Sequence, residues 1–420
     1  MIRVATPTRE SGVFTAGNAI AARSIAVLIG VISSIVLARG LGSEGRGRFA
    51  IAAAVLGIGV QVVTLGLHAS LPYYAARSPD AARRLLADGV RRMSLASVAF
   101  GLAVAGWAAL GEPDWYRDCG ATLTLIALVA VPAAGLQLLS QAMLLGLGRT
   151  MLYCWVAPPV MAVTVLTLLA LLWAGTLSPA SALVASGLVA LATGIWIVSS
   201  IASGTGAAPH FSEQWSYMWR SWVIALLATM PPRVLTLALP SRAPLGEVGV
   251  WGVALTIVET MNSIAASVIA VRLAPLLADR GDGGTFWRAA WVSVAGVFAS
   301  TAVMCGAVAL VLPFLLPLGF GADFASATGI VVACMPGVVA YSTSAMLQSV
   351  LAARGQPPSA MLAPSVSVGA TLAVLLVPGV QSGTTFAWAY SAQASVAMAV
   401  SAAVTVRVYR HRHRAASRQP

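Results

Sequence analysis

Two apolar runs near the start of the chain set its pattern. FTAGNAIAARSIAVLIGVISSIVLA and AIAAAVLGIGVQVVTLGLHASL are joined by the short stretch Arg39–Phe49, RGLGSEGRGRF. Each run exceeds the ~20 apolar residues that carry a helix across a bilayer core. The stretch between them is too short for a domain and predicts a loop closing an antiparallel helical hairpin. Its charges, Arg39, Glu44, Arg46 and Arg48, are expected to mark one membrane surface, and Arg77, Arg83, Arg84, Arg91 and Arg92 the other. The same alternation continues along the chain. Spans are expected over roughly 14–38, 49–71, 93–111, 119–145, 152–174, 180–201, 217–239, 249–272, 289–317, 325–351, 360–378 and 384–407. The longest polar connections, Pro72–Arg92, Ala202–Ser216 and Pro275–Arg288, are too short for an extramembrane domain.

Internal similarity groups these spans. SQAMLLGLGRTMLYCWVAPPVMAV (Ser140–Val163) resembles SAMLQSVLAARGQPPSAMLAPSVSV (Ser344–Val368), and both carry Ala-Pro, at Ala157-Pro158 and Ala363-Pro364. More weakly, GRGRFAIAAAV (Gly45–Val55) resembles VGVWGVALTIV (Val248–Val258). A repeat in the same orientation is the pattern of several transporters. The expected fold is therefore all-α, a polytopic membrane protein. Its twelve transmembrane helices form two six-helix lobes with pseudo-twofold symmetry, residues 1–203 and 204–420, the second ending in a basic cytoplasmic tail.

Composition supports a membrane protein. The chain of 420 residues is 59% hydrophobic and 9% charged, where soluble domains carry about 25% charge. All 25 basic residues are arginine. Eighteen fall on the side of Arg77, Arg149 and Arg288 and five on the side of Arg39 and Arg242, with Arg23 and Arg233 inside spans. That asymmetry predicts both termini in the cytoplasm. The arginines flank apolar spans and form no single basic face, which argues against nucleic acid despite the net charge of +12. The four cysteines are scattered and match no metal or redox spacing. The first apolar run is too long for a signal-peptide core and is expected to remain as a helix. No cofactor is expected, since no Gly-rich turn is followed by the Lys-Ser/Thr of a phosphate loop.

The stretches ARGLGSEGRGRFA and LGLHASLPYYAAR resemble the first hairpin of polysaccharide flippases, of the O-antigen or exopolysaccharide type. These belong to the multidrug/oligosaccharidyl-lipid/polysaccharide exporter superfamily. The resemblance rests on Leu41-Gly42, Glu44-Gly45, Gly47, Gly66 and Arg77, with the turns GLGRT (Gly146–Thr150) and LAARGQPP (Leu351–Pro358). It implies a transporter rather than an enzyme. Such a protein moves a polyprenyl-pyrophosphate-linked glycan across the cytoplasmic (inner) membrane of a bacterium, through a cationic cavity between two lobes. A monomer is expected, and a polysaccharide polymerase is a candidate partner.

Candidate site residues follow from charge inside the spans. Arg23 lies nine residues into the first span with no carboxylate on its face. Its partner is then another helix, water or an anionic ligand, unless the span begins nearer Ala19 and Arg23 snorkels to the headgroups. Arg233 follows Pro231-Pro232 in the seventh span, and Glu259 is the one carboxylate inside a span, with Thr256, Asn262 and Ser263 on overlapping faces. Counted from the intervening turn, Arg233 and Glu259 differ in depth by only about 5 Å. They are expected either as a permanent ion pair or as a pair that substrate or cation opens, with Glu259 and Asn262 as ion-coupling candidates. Arg39, Gln141 and Gln348 complete the substrate-binding candidates, although interhelical hydrogen bonding accounts equally for the glutamines. Two other functions remain open. An ion-coupled multidrug antiporter needs acidic cavity residues for cationic drugs. A membrane glycosyltransferase or polymerase needs a carboxylate or His cluster on a sizeable outer loop. Glu112, Asp114 and Asp118 are the acidic cluster available for that, on a short loop.

Overall fold

The computed structural model describes residues 9–201, 211–278, 283–353, 362–377 and 382–416. Among them every regular element is a helix. The first and second passes form one run, Arg9–Val63, interrupted only at Gly42 (φ 67°, ψ −178°). Arg46 hydrogen-bonds back to Ser34, so the chain reverses there. This corrects the loop expected at Arg39–Phe49: Arg39, Glu44, Arg46 and Arg48 all lie on helix. One residue suffices for the turn because glycine adopts a positive φ without a side-chain clash.

The second pass breaks again at Leu65 (φ 48°) and Gly66 (φ 76°) and resumes as Leu67–Arg77. After the short turn Pro79–Ala81 comes the third pass, Ala82–Gly111. The expected polar connection Pro72–Arg92 is therefore nearly all helix. Arginines tolerate this, since long side chains near a helix end reach the headgroups. A short helix, Asp114–Cys119, leads into the fourth pass, Ala121–Gly146. The fifth is Thr150–Trp173 and the sixth Pro179–Ser199, the latter started by a Ser178–Ser181 capping box. Then come the seventh, Phe211–Ala238, the eighth, Leu245–Ala278, and the ninth, Gly283–Phe320. The tenth is Ala327–Ala353, the eleventh Leu362–Leu375 and the twelfth Gly383–Ala416. Among the described residues, ten helical stretches are long and apolar enough to cross a bilayer. The first of them holds two passes, and the shorter Leu362–Leu375 supplies another, giving twelve.

The passes form two six-helix lobes, and the boundary expected at residues 203 and 204 lies outside the described residues. The lobes meet where the second pass crosses the eighth. A Cβ at Gly47 would strike the Leu245 carbonyl and lie 3.2 Å from the Gly249 nitrogen. One at Gly249 would strike the Ser43 carbonyl and lie 3.0 Å from the Gly47 nitrogen. One at Gly252 would lie 2.8 Å from the Ala50 Cβ. A single shift of 202 residues carries Ser43, Gly47 and Ala50 onto Leu245, Gly249 and Gly252. The contact is thus self-complementary, as a twofold interface must be. It is made of small residues, which let helix backbones approach within a membrane. These overlap the segments of the weaker sequence repeat, which paired them one residue out of step, at a shift of 203. Of the stronger repeat, residues 354–361 lie outside the described residues, while its prolines Pro158 and Pro364 are both buried, in the fifth and eleventh passes.

The two ends of the bundle differ. Around the Gly42 end, one apolar core takes residues from both lobes, among them Ala38, Val55 and Trp115 with Leu239, Trp251 and Phe324. Toward the opposite, arginine-rich end the core divides. One part gathers Leu71, Leu86, Met143 and Ile197 of the first lobe with Met218 of the seventh pass. The other gathers Phe286, Trp287, Val297 and Met346 of the second.

Candidate functional site

One face of the eighth helix organises the polar residues. Gly252, Thr256, Glu259 and Ser263 follow at steps of four, three and four residues, which places them in one stripe. Three arginines from three other passes meet that stripe. Arg46, in the first turn of the second pass, donates from Nη2 to Thr256 Oγ1 at 3.0 Å and Ser34 Oγ at 3.2 Å. Arg233, on the seventh, brings Nη1 to 3.8 Å from Glu259 Oε1. Arg23, on the first, donates from Nη2 to Ser263 Oγ at 2.9 Å. The ladder from Thr256 to Ser263 covers about 10 Å of helix.

Each rung has a local cause. Arg46 is 5% exposed, yet its Nε has no hydrogen-bond partner among the described residues. An arginine sealed in with a donor unspent is costly unless something fills the adjoining space. Arg46 also forms part of the wall of a cavity of about 160 Å³, with Phe49, Arg233, Thr236, Thr256 and Glu259, kept open by Ala50, Ala53, Ala54 and Gly252. Arg233 reaches it by lying against Gly57 of the second pass, where a Cβ would collide with its Nε. It also donates to the Thr229 carbonyl at 3.3 Å. The side chains of Arg233 and Glu259 keep 26% and 52% of their surface open, so a competing ion can reach the pair. Behind Glu259, Asn262 Nδ2 donates to Tyr390 of the twelfth pass at 3.2 Å, and its buried Oδ1 is unpartnered among the described residues. Arg46, Tyr341 and Tyr390 lie within electrostatic reach of Glu259. The ladder carries three guanidiniums against one carboxylate, an arrangement that attracts anions.

The sequence-predicted residues divide accordingly. Arg23, Arg233, Glu259 and Asn262 are brought together. Arg39 is not: it sits at the Gly42 end and donates to the carbonyls of Gly319 (2.6 Å) and Leu318 (2.5 Å). Gln348 belongs to a network inside the second lobe, donating to Ser344 at 3.0 Å, with Ser401 beyond. Gln141 is half-buried on the fourth pass and does not line the cavity. Arg46, expected on the membrane surface, is the residue sequence reasoning missed. The signal was present: Arg46, Ala50 and Ala54 share one helical face, and small residues at that spacing mark a packed interface.

No protein-family model and no curated protein matches the sequence. Solved structures do resemble it. A lipid II flippase MurJ in an inward closed conformation superposes with a TM-score of 0.75, at 14% identity over 90% of this chain and 85% of that one. A multidrug resistance MATE family transporter of the MOP superfamily in an inward-facing conformation gives 0.71, at 12% identity over 94% and 98%. An outward-facing structure of a MATE family transporter gives 0.63, at 12% identity over 96% and 95%. The chain thus spans the membrane many times and has the fold of the transporters in the multidrug/oligosaccharidyl-lipid/polysaccharide exporter superfamily.

Proposed function

We propose that this protein is a flippase that moves a polyprenyl-pyrophosphate-linked oligosaccharide across a bacterial cytoplasmic membrane by alternating access. Cell-surface polysaccharide synthesis is the process it serves. The observation that carries the reading is the arginine ladder on the eighth helix. Charged side chains within a membrane are expensive and mark ligand pathways. Here three cations gather on one stripe beside a cavity, and one of them, Arg46, which forms part of its wall, is sealed in with a donor unspent among the described residues. A pyrophosphate needs fixed positive charge to enter the membrane interior, and the planar guanidinium binds phosphate oxygens in pairs. The prenyl chain stays in lipid. Glu259 and Asn262 serve as the coupling group: an anion that takes Arg233 releases the carboxylate to bind a proton or a cation, with the unpartnered Asn262 Oδ1 beside it. The surplus of arginine over carboxylate favours an anionic cargo over the cationic drugs of an antiporter.

The test uses proteoliposomes and a fluorescent polyprenyl-pyrophosphate oligosaccharide. Arg23→Ala, Arg46→Ala and Arg233→Ala should each slow translocation by about tenfold or more, the loss expected for a charge-assisted hydrogen bond. The corresponding lysine variants should recover part of the rate, because a point charge loses the paired geometry. A neutral polyprenyl glycan lacking the pyrophosphate should not move. Equal rates for the neutral and anionic lipids would end this reading.

A further inference from the structure

We infer that Arg39 is a latch that holds the lobes together at the Gly42 end. The inference rests on the alternating-access part of the proposed function and not on its substrate.

Arg39 ends the first pass, in the first lobe. Its Nε and Nη2 donate to the carbonyls of Gly319 and Leu318 in the last turn of the ninth pass, in the second lobe. The last four carbonyls of a helix have no partner within it and carry the negative end of its dipole. A guanidinium that takes two of them satisfies both groups at once. Beside this contact Ile35 of the first pass lies against Gly319. The bond therefore exists only while the lobes touch at this end, and it must break when they part.

Arg242 lies one residue from the position to which the 202-residue shift carries Arg39. It does the same chemistry: its guanidinium donates to the carbonyls of Val377, at 3.3 Å, and Leu375, at the end of the eleventh pass. That helix, however, belongs to Arg242's own lobe. Opening the cleft leaves this bond intact. The repeat has thus used one device twice, once across the lobes and once within a lobe.

The two arginines form a matched test. Spin labels at Thr176 and Asp323, exposed on the two lobes at this end, report the separation of the lobes by electron–electron distance measurement in nanodiscs without substrate. The four native cysteines are first replaced by alanine. Arg39→Gln should raise the ratio of separated to closed molecules about fivefold to tenfold, allowing for partial solvent exposure of a charge-assisted bond. Arg39→Lys should give a smaller rise, and so should Arg242→Gln, whose bonds to Val377 and Leu375 lie within one lobe. A Ser43→Cys/Gly246→Cys pair offers an independent readout. A Cβ at Gly246 would lie 3.8 Å from that of Ser43, within disulfide range, and oxidative crosslinking should slow in the Arg39→Gln background. An Arg39→Gln distribution and crosslinking rate equal to wild type would overturn the latch. So would equal shifts in Arg39→Gln and Arg242→Gln, which would reduce both to general helix-end stabilisers. Failure of the anionic-lipid assay leaves these distances unaffected, so the two ideas fail separately.

Discussion

The Gly42 end and the arginine-rich end of the bundle are built from the same repeated helices but are closed in different ways. At the Gly42 end the second and eighth passes cross through glycine, an apolar core runs unbroken through both lobes, and Arg39 bridges two helix-end carbonyls. Toward the arginine-rich end the cores separate, and the seventh pass joins the lobes: Met218 packs into the first lobe's core, a Cβ at Gly66 would strike the Met218 carbonyl, and hydrogen bonds run from Arg23 to Ser263 and from Trp222 Nε1 to the Gln61 carbonyl at 2.9 Å. The contrast teaches that opening the arginine-rich end must peel the seventh pass from the first lobe, while opening the Gly42 end must unpack a core shared by many passes. Such an imbalance sets a resting state that a ligand can shift only by its differential affinity for the two states.

The largest effect should come from breaking the thick side. Gly249→Leu would force a side chain into the Ser43 carbonyl with no flexible neighbour to yield, and overpacking of this kind costs about 1–3 kcal/mol or more. The closed Gly42 end should be lost, and transport should fall by about a hundredfold, that cost converted to a rate. The control is Gly106→Ala on the third pass, where a Cβ meets nothing within 4 Å; it should leave transport unchanged and stabilise the helix slightly. Full transport by Gly249→Leu would show that the glycine crossing is not an obligatory contact.

A second effect, about tenfold, should follow from Glu259→Gln. It leaves Arg233 without its carboxylate and should weaken gradient-driven transport while anion binding, measured with inorganic pyrophosphate, stays the same or tightens. Weaker pyrophosphate binding would instead make Glu259 a structural prop for Arg233.

Much of this contrast was legible in the chain, and the exceptions have one cause. The stripe of Thr256, Glu259 and Ser263 followed from helical spacing, as did the matched depth of Arg233 and Glu259, because a helix fixes its own geometry within one segment. The twelve passes followed from apolar length. Arg46 was lost because RGLGSEGRGRF has the composition of a loop. Gly42 alone turns the chain, while Gly47 stays helical because another lobe's backbone lies against it. That contact is tertiary and leaves no local trace. Arg39 was misplaced for the same reason, since its carbonyl partners are 279 and 280 residues away. The repeat carried more than its similarity suggested. The weaker pair of segments is the one that meets across the pseudo-twofold, where glycine and alanine are required on both sides and little else is.

The smallest effect probes the thin side. The second pass breaks at Leu65 and Gly66, so Leu65 N bonds the Val62 carbonyl at 3.4 Å in place of Gln61's. The Gln61 carbonyl is thereby freed from the helix ladder, and Trp222 of the seventh pass takes it, as Thr64 Oγ1 does at 3.3 Å. The 202-residue shift carries Gln61 onto Ser263, the residue that Arg23 holds. The thin closure therefore includes two related bonds, each supplied by the helix that begins a lobe. Trp222→Phe keeps the ring and removes the donor, while Ser263→Ala removes the acceptor. A neutral hydrogen bond contributes about 0.5–1.5 kcal/mol, and Thr64 remains to serve the Gln61 carbonyl. Trp222→Phe should therefore shift the open fraction at the arginine-rich end by only about twofold, and Ser263→Ala by about fivefold, because the bond it removes is charge-assisted although Arg23 is exposed. Distance measurements between labels at Arg91 and Arg288, exposed on the two lobes at that end, would read both. The Gly42-end distances should stay fixed in each variant. If either substitution opened the Gly42 end, the two closures would be one cooperative structure, and the division into a thick and a thin side would be wrong.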